Sequence, residues 1–201
     1  NLQLGRPDAD SGTILVTSPG SGDGKSITAS NLAVITAQAG HSTLLIDGDL
    51  RRPRLHEIFD VSQTPGLTET LKNDLEEQTM KRPLADNFCV LPAGTQVENP
   101  AKVFGSARFR EFLSEAEQYF DYVLVDSSPV LATADGPMLS DLCDTTLCVA
   151  RAGVTTEDEL DHALEVLGEV GADVAGVVFN GFDLSMAYGY KYRYRHYGQY
   201  G

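Results

Sequence analysis

Lys25 and Ser26 stand directly behind three alternating glycines in the stretch SPGSGDGKS. Gly20, Gly22 and Gly24 let the backbone bend with its amides turned inward, while Ser21 and Asp23 fill the positions between them. Lys25 supplies a cation, Ser26 a hydroxyl suited to Mg²⁺, and a helix begins at once with its positive end toward the loop. That combination binds phosphates. It matches the GKS of the phosphate loop but not the full GxxxxGK[ST], because Pro19 occupies the first glycine position. A glycine-rich turn before a helix is common and can be a plain helix start. With a strand in front and a helix behind, nucleotide binding is the better reading, with Gly20, Ser21, Gly22, Asp23, Gly24, Lys25, Ser26 and Ile27 as candidate contacts.

Three acids follow two other apolar runs. Asp47 and Asp49 close STLLIDGD as a D-x-D pair, and Asp126 ends YVLVD. Next to a metal–phosphate site, such carboxylates hold metal-bound waters or take a proton from an incoming hydroxyl. Each alone could be a turn former. Three of them at two strand ends around one phosphate loop are hard to ascribe to coincidence. Ser26, Asp49 and Asp126 are the candidate Mg²⁺ ligands or organisers of its waters, and Asp47 is the candidate base. Asn180, after the last apolar run, is either an adenine contact or an ordinary strand end. Arg51 and Arg52 are candidate phosphate or subunit contacts, or partners of nearby acids.

These residues need a scaffold that brings strand ends together. Apolar, β-branched runs at 13–18, 42–47, 88–92, 122–126, 145–150 and 173–179 predict strands, and amphipathic patterns at 25–39, 106–119, 134–142 and 156–169 predict helices. Strands apolar throughout and separated by helices give an α/β fold: a doubly wound, mostly parallel sheet covered on both faces. Ligands in such folds bind outside the carboxyl ends of the strands, where all the candidates lie. One domain over 1–184 with a tail over 185–201 is expected.

The 201 residues carry a net charge of −14, and the tail holds three Lys/Arg and no acid. The rest therefore sets 12 basic against 29 acidic residues, a charge of −17. A body that acidic repels phosphate backbones and argues against nucleic acid as a partner. Cys89, Cys143 and Cys148 form no CxxC pair and lie in or near apolar runs, as buried reduced thiols would. Four scattered histidines have no metal-cage spacing. No apolar run approaches the ~18 residues of a membrane span, and no signal peptide is visible. The chain starts with Asn, and a longer parent polypeptide is expected.

The tail, YGYKYRYRHYGQYG, contains six of the eight tyrosines: Tyr188, Tyr190, Tyr192, Tyr194, Tyr197 and Tyr200. By itself it fits a strand with an aromatic face, a segment stacking on single-stranded nucleic acid, or low complexity. The whole chain narrows the choice. SPGSGDGKS, LLIDGDLRRPRLHEIF, PGLTETL, ENPAKVF, FDYVLVDSSPV, VARAGVTT and GVVFNGFD, followed by a tyrosine-rich end, resemble the bacterial tyrosine kinases of polysaccharide export over nearly the full length.

The resemblance implies a Walker A motif at 17–26, a Walker A′ at 44–51 and a Walker B at 122–126 on a phosphate-loop NTPase fold. It implies ATP and Mg²⁺ as cofactors and the six tail tyrosines as phosphoacceptors. It also implies a ring-like homo-oligomer in which one subunit's tail enters the next subunit's site. A membrane-spanning chain-length regulator, fused or separate, and a protein-tyrosine phosphatase are the other implied partners. The implied location is cytoplasmic, at the inner face of the cell membrane. Ser21, Asp23, Gly48, Lys102 and the pair Ser127–Ser128 depart from the family's usual residues, without removing a group that touches phosphate or metal. The competing assignment is a deviant-Walker ATPase switch controlling a membrane partner without kinase activity. That group carries a signature Lys where this chain has Gly20, and lacks a tyrosine tail.

Overall fold

The computed structural model describes residues 12–72 and 80–182, so the tail tyrosines lie outside the described residues. Six strands form one sheet: β1 (Gly12–Thr17), β2 (Thr43–Asp47), β3 (Phe88–Leu91), β4 (Tyr122–Asp126), β5 (Thr145–Arg151) and β6 (Val174–Asn180). Every one coincides with a predicted apolar run to within a residue or two. Their order is β3-β2-β4-β1-β5-β6, and each neighbouring pair is parallel.

The strands are apolar at nearly every position because both faces are covered. On one face Leu15, Leu44, Ile46, Val123 and Val125 pack with Phe104, Phe109 and Phe112. These phenylalanines come from α4 (Pro100–Phe104) and α5 (Ala107–Ala116). On the other face α1 (Lys25–Gln38) presents Ala29, Ala33 and Ala37 to Ile14, Val16, Leu45 and Leu124. Alanine at that spacing puts a short methyl face on the helix, so α1 lies close to the sheet. This fixes the phosphate loop, which joins β1 to α1, firmly against the strand ends. At the far edge α7 (Glu157–Glu169) buries Ala163 and Leu167 with Val130, whereas β6 keeps Phe179 64% exposed.

Three short helices were not anticipated: α2 (Leu55–Ile58), α3 (Leu67–Thr70) and α4. Four or five residues cannot display a 3.6-residue period. For α4 a signal did exist, since Asn99 caps it by accepting from Lys102 N at 3.2 Å and Pro100 follows. The remaining helix, α6 (Asp135–Ser140), lies within the predicted 134–142. Cys89 and Cys148 are buried thiols, Cys143 is half-buried, and the three form no disulfide. Burial pushes the Cys148 thiol up to about 11, which keeps it unreactive.

Candidate active site

The loop between β1 and α1 bends through two glycines with positive φ, 92° at Gly22 and 99° at Gly24. Gly24 is the N-cap of α1, and no side chain caps that helix. Its first-turn amides and its dipole are therefore available to an anion, unlike those of α4, α5 and α7, which Asn99, Ser106 and Thr156 cap. Lys25 Nζ sits 3.5 Å from Ser26 Oγ and 3.0 Å from Asp49 Oδ2. The cation and the D-x-D pair thus meet across the strand ends.

Asp47 and Asp126 are register partners on adjacent strands, so the sheet itself places the two carboxylates side by side. Both are fully buried. Asp47 Oδ2 accepts from Arg54 N at 3.0 Å and Leu55 N at 2.9 Å, which ties the acid to the start of α2. Its Oδ1 and both oxygens of Asp126 have no full hydrogen-bond partner. Burial, and next the charge of Asp126, push the Asp47 carboxyl up to about 7, against the pull of the Leu55 and Arg54 amides. Burial raises Asp126 to about 6, while the Lys25 charge and the nearby Ser26 hydroxyl draw it partly back. Three buried acceptor oxygens without partners are what a site for metal-bound water or an incoming hydroxyl presents.

Gly48 locks the two strand ends together. Its amide donates to Asp126 O at 2.7 Å, and a Cβ there would lie 2.7 Å from that same oxygen. The departure from the family's usual residue at 48 is therefore built into this backbone.

A second set of contacts braces the phosphate loop, and sequence reasoning did not find it. The buried Asp23 carboxylate accepts from Gly20 N at 2.8 Å and from Thr155 Oγ1 at 2.9 Å. Thr155 Oγ1 in turn accepts from Arg151 N at 2.7 Å, and Arg151 Nη1 donates to Gly22 O at 3.2 Å. Asn180 Nδ2 donates to Asp23 O at 2.9 Å and fills the space beside Gly24, where a Cβ would meet it at 1.8 Å. The loop's shape is thus imposed from the ends of β5 and β6. Thr155→Val, which removes one hydroxyl, is expected to raise the KM for ATP roughly five- to tenfold, the equivalent of one hydrogen bond of about 1 kcal/mol. Steady-state kinetics alongside a melting curve check this; an unchanged KM would mean the brace is dispensable.

The predicted site residues therefore converge, with roles distinguished by their contacts. Gly20 to Ser26 form the loop, Ile27 is half exposed on the first turn of α1, and Asp47, Asp49 and Asp126 line the adjoining strand ends. Asp49 is engaged by Lys25 and by Arg52 N at 3.1 Å. Asn180 has its amide committed to the loop, and its Oδ1 accepts from Gly181 N. Arg51 pairs with the buried Asp135 at 2.5 Å, and Arg54 with Glu57 at 3.2 Å. Tyr119 is exposed, and Tyr122 meets the His41 ring edge-on at 5.1 Å.

Residues 14–192 match the CobQ/CobB/MinD/ParA nucleotide-binding domain family. The tyrosine-protein kinase YwqD of Bacillus subtilis is 35% identical over 202 residues, covering 100% of this chain and 82% of that one. The chain belongs to the bacterial tyrosine-kinase family. It is a tyrosine kinase by that kinship. The kinase domain of the Escherichia coli tyrosine kinase ETK superposes with a TM-score of 0.81 at 30% identity, covering 87% of this chain and 69% of that one. A putative tyrosine-protein kinase, EpsB of Ralstonia solanacearum, is 35% identical over 204 residues. That match takes in 98% of this chain but only 27% of EpsB, so there the same unit sits within a much longer polypeptide. Among the described residues, no helix is long and apolar enough to cross a membrane.

Proposed function

We propose that this kinase transfers the γ-phosphoryl group of ATP to tyrosines of its own C-terminal run, Tyr188 to Tyr200, and that this controls polysaccharide synthesis or export. The observation that carries the reading is the pairing of an uncapped phosphate loop with buried, partner-free carboxylate oxygens on the next strands. Mg²⁺ fits this donor set. Among the described residues no group of three or more His, Cys, Asp or Glu is gathered to hold a metal alone. Mg²⁺ ordinarily takes one or two carboxylates and completes its shell with water and phosphate. Ser26, Asp126 and Asp49 would hold it or its waters, and when bound it neutralises phosphate charge.

The protein's own part is positioning and charge. The amides of 20–26 and the Lys25 ammonium hold the phosphates, while the brace through Asp23 keeps those amides aimed. Asp47 has a pKa near neutrality and one free oxygen, which suits it to accept a phenolic proton. In the intact system the kinase works in a ring of copies with a membrane-spanning activator, at the inner face of the membrane, and a phosphatase resets it.

Intact mass after incubation with ATP and Mg²⁺ tests this. Phosphate-sized steps mapping to residues 188–200 are expected. Phosphate release without mass gain would replace the kinase reading with the ATPase switch.

A further inference from the structure

The turn between β2 and α2 carries the amides that hold both acids of the D-x-D pair. Arg52 N donates to Asp49 Oδ1 at 3.1 Å, while Arg54 N and Leu55 N donate to Asp47 Oδ2 at 3.0 and 2.9 Å. Where that turn goes, the two carboxylates follow. Leu50 holds the turn down by joining Leu139 of α6 in the core, but apolar contact has no direction. Arg51 supplies the direction. Its Nε donates to Asp135 Oδ2 at 2.5 Å and its Nη2 to Asp135 Oδ1 at 3.3 Å, so a planar fork meets a planar carboxylate at two points.

The other end of this tie is fixed to the strands that carry the phosphate loop and Asp126. Asp135 opens α6, and its amide donates to Thr133 Oγ1 at 3.3 Å, which in turn lies 2.6 Å from Ser128 Oγ. A Cβ on Gly136 would lie 3.0 Å from Ser128 O and 3.4 Å from Thr17 Oγ1. The start of α6 therefore has no slack against the end of β1 or the chain leaving β4. A short path runs from those strand ends through Asp135 and Arg51 to the turn, and from the turn to Asp47 and Asp49.

The Asp135 side chain is 2% exposed and that of Arg51 45%. Taking a carboxylate out of water is costly, and the attraction within a buried pair commonly does no more than offset that cost. What a two-point ion pair adds over packed apolar side chains is a fixed geometry. We infer that Asp135 is a positioning residue for phosphoryl transfer: through Arg51 it sets the turn after β2, and with it the Asp47 and Asp49 carboxylates, relative to the phosphate loop. The inference rests on the roles given above to those two acids. Its effect falls on turnover rather than on nucleotide binding, because the loop is braced separately, from the ends of β5 and β6, through Asp23, Thr155 and Asn180.

Asp135→Asn keeps the side chain's shape but turns an NH₂ group toward one guanidinium donor, and Arg51→Lys keeps the charge but loses the fork. Each, in the full chain, should lower the turnover number for ADP formation from ATP with Mg²⁺ roughly ten- to a hundredfold, the scale on which misplaced reacting groups act. The dissociation constant of a fluorescent ATP analogue should not change. The double variant should lose no more than the worse single one, since a pair already broken cannot be broken twice. Hydrogen exchange of the buried Leu55 amide should quicken in the same variants below their melting temperatures. If one variant does not fold, the other carries the test. A turnover number unchanged in both, nucleotide affinity falling in step, or losses that multiply in the double variant would overturn the inference. With turnover unchanged, faster Leu55 exchange places the fault in the roles given to Asp47 and Asp49, and unchanged exchange places it in the tie itself. ADP counts transfer to tyrosine and to water alike, so a wild type that makes ADP without phosphotyrosine sinks only the tail reading, and the same loss of turnover in the variants still upholds Asp135.

Discussion

Lys25→Met is expected to lower phosphotyrosine formation by at least 10²- to 10³-fold, the scale on which one preorganised charge-stabilising donor matters. Lys25 Nζ is the loop's cation, and Asp49 holds it at the carboxyl ends of the strands where the acids converge. Methionine keeps most of the side-chain length and the packing of α1 while removing the charge. The substitution also leaves the Asp49 carboxylate, 5% exposed, without its ion pair. A stability loss on the order of 1–3 kcal/mol should accompany it. Denaturant unfolding separates that loss from the catalytic one. Near-normal tail phosphorylation in a folded Lys25→Met protein would remove the phosphate loop from the mechanism.

Asp47→Asn should do something less usual: reduce transfer by 10² to 10⁴, as loss of a general base does, while making the protein more stable. An Asn carbonyl still accepts from the Arg54 and Leu55 amides, and its NH₂ takes the place of the oxygen that has no partner. The sign follows from the pKa. An Asp47 raised from 3.8 to about 7 binds its proton more tightly folded than unfolded. Stability therefore falls as pH rises from about 4 to about 7, and the cost is constant above that. Carrying the charge costs on the order of 4 kcal/mol at pH 8, an upper figure because burial is never perfectly dry. Melting curves from pH 4 to 8 should show a shallower pH dependence in Asp47→Asn, with the gap widest at the alkaline end. Transfer by the wild type should decline as pH drops through 7. Loss of activity with no gain in stability at pH 8 would mean that Asp47 is charged at little cost, as a metal-paired acid would be.

What the sequence disclosed was whatever is written in consecutive residues. TILVTS, STLLID and YVLVD are unbroken apolar runs because both faces of the sheet are covered, so burial itself spells the strands. SPGSGDGKS is local in the same sense, and the pairing of Asp47 with Asp126 follows once both close parallel strands. The brace was illegible because its partners, Asp23 and Thr155, are 132 residues apart, and a Thr in VARAGVTT looks like any loop residue. Asp135, 84 residues from Arg51, reads as a helix-start acid until the fold brings the guanidinium to it. Asn180 reads equally as an adenine contact or a plain strand end, and neither reading of a lone Asn places its amide on the carbonyl of Asp23.

The tie between Asp47 and the start of α2 gives the site a spectroscopic handle. Leu55 is fully buried, and its amide donates to the carboxylate whose charge changes when a proton arrives. A protonated Asp47 is a weaker acceptor, so that amide resonance should move upfield and exchange with solvent faster as the acid neutralises. One backbone signal would then follow the titration of the base through a pH series, and after ATP addition would show whether the proton stays.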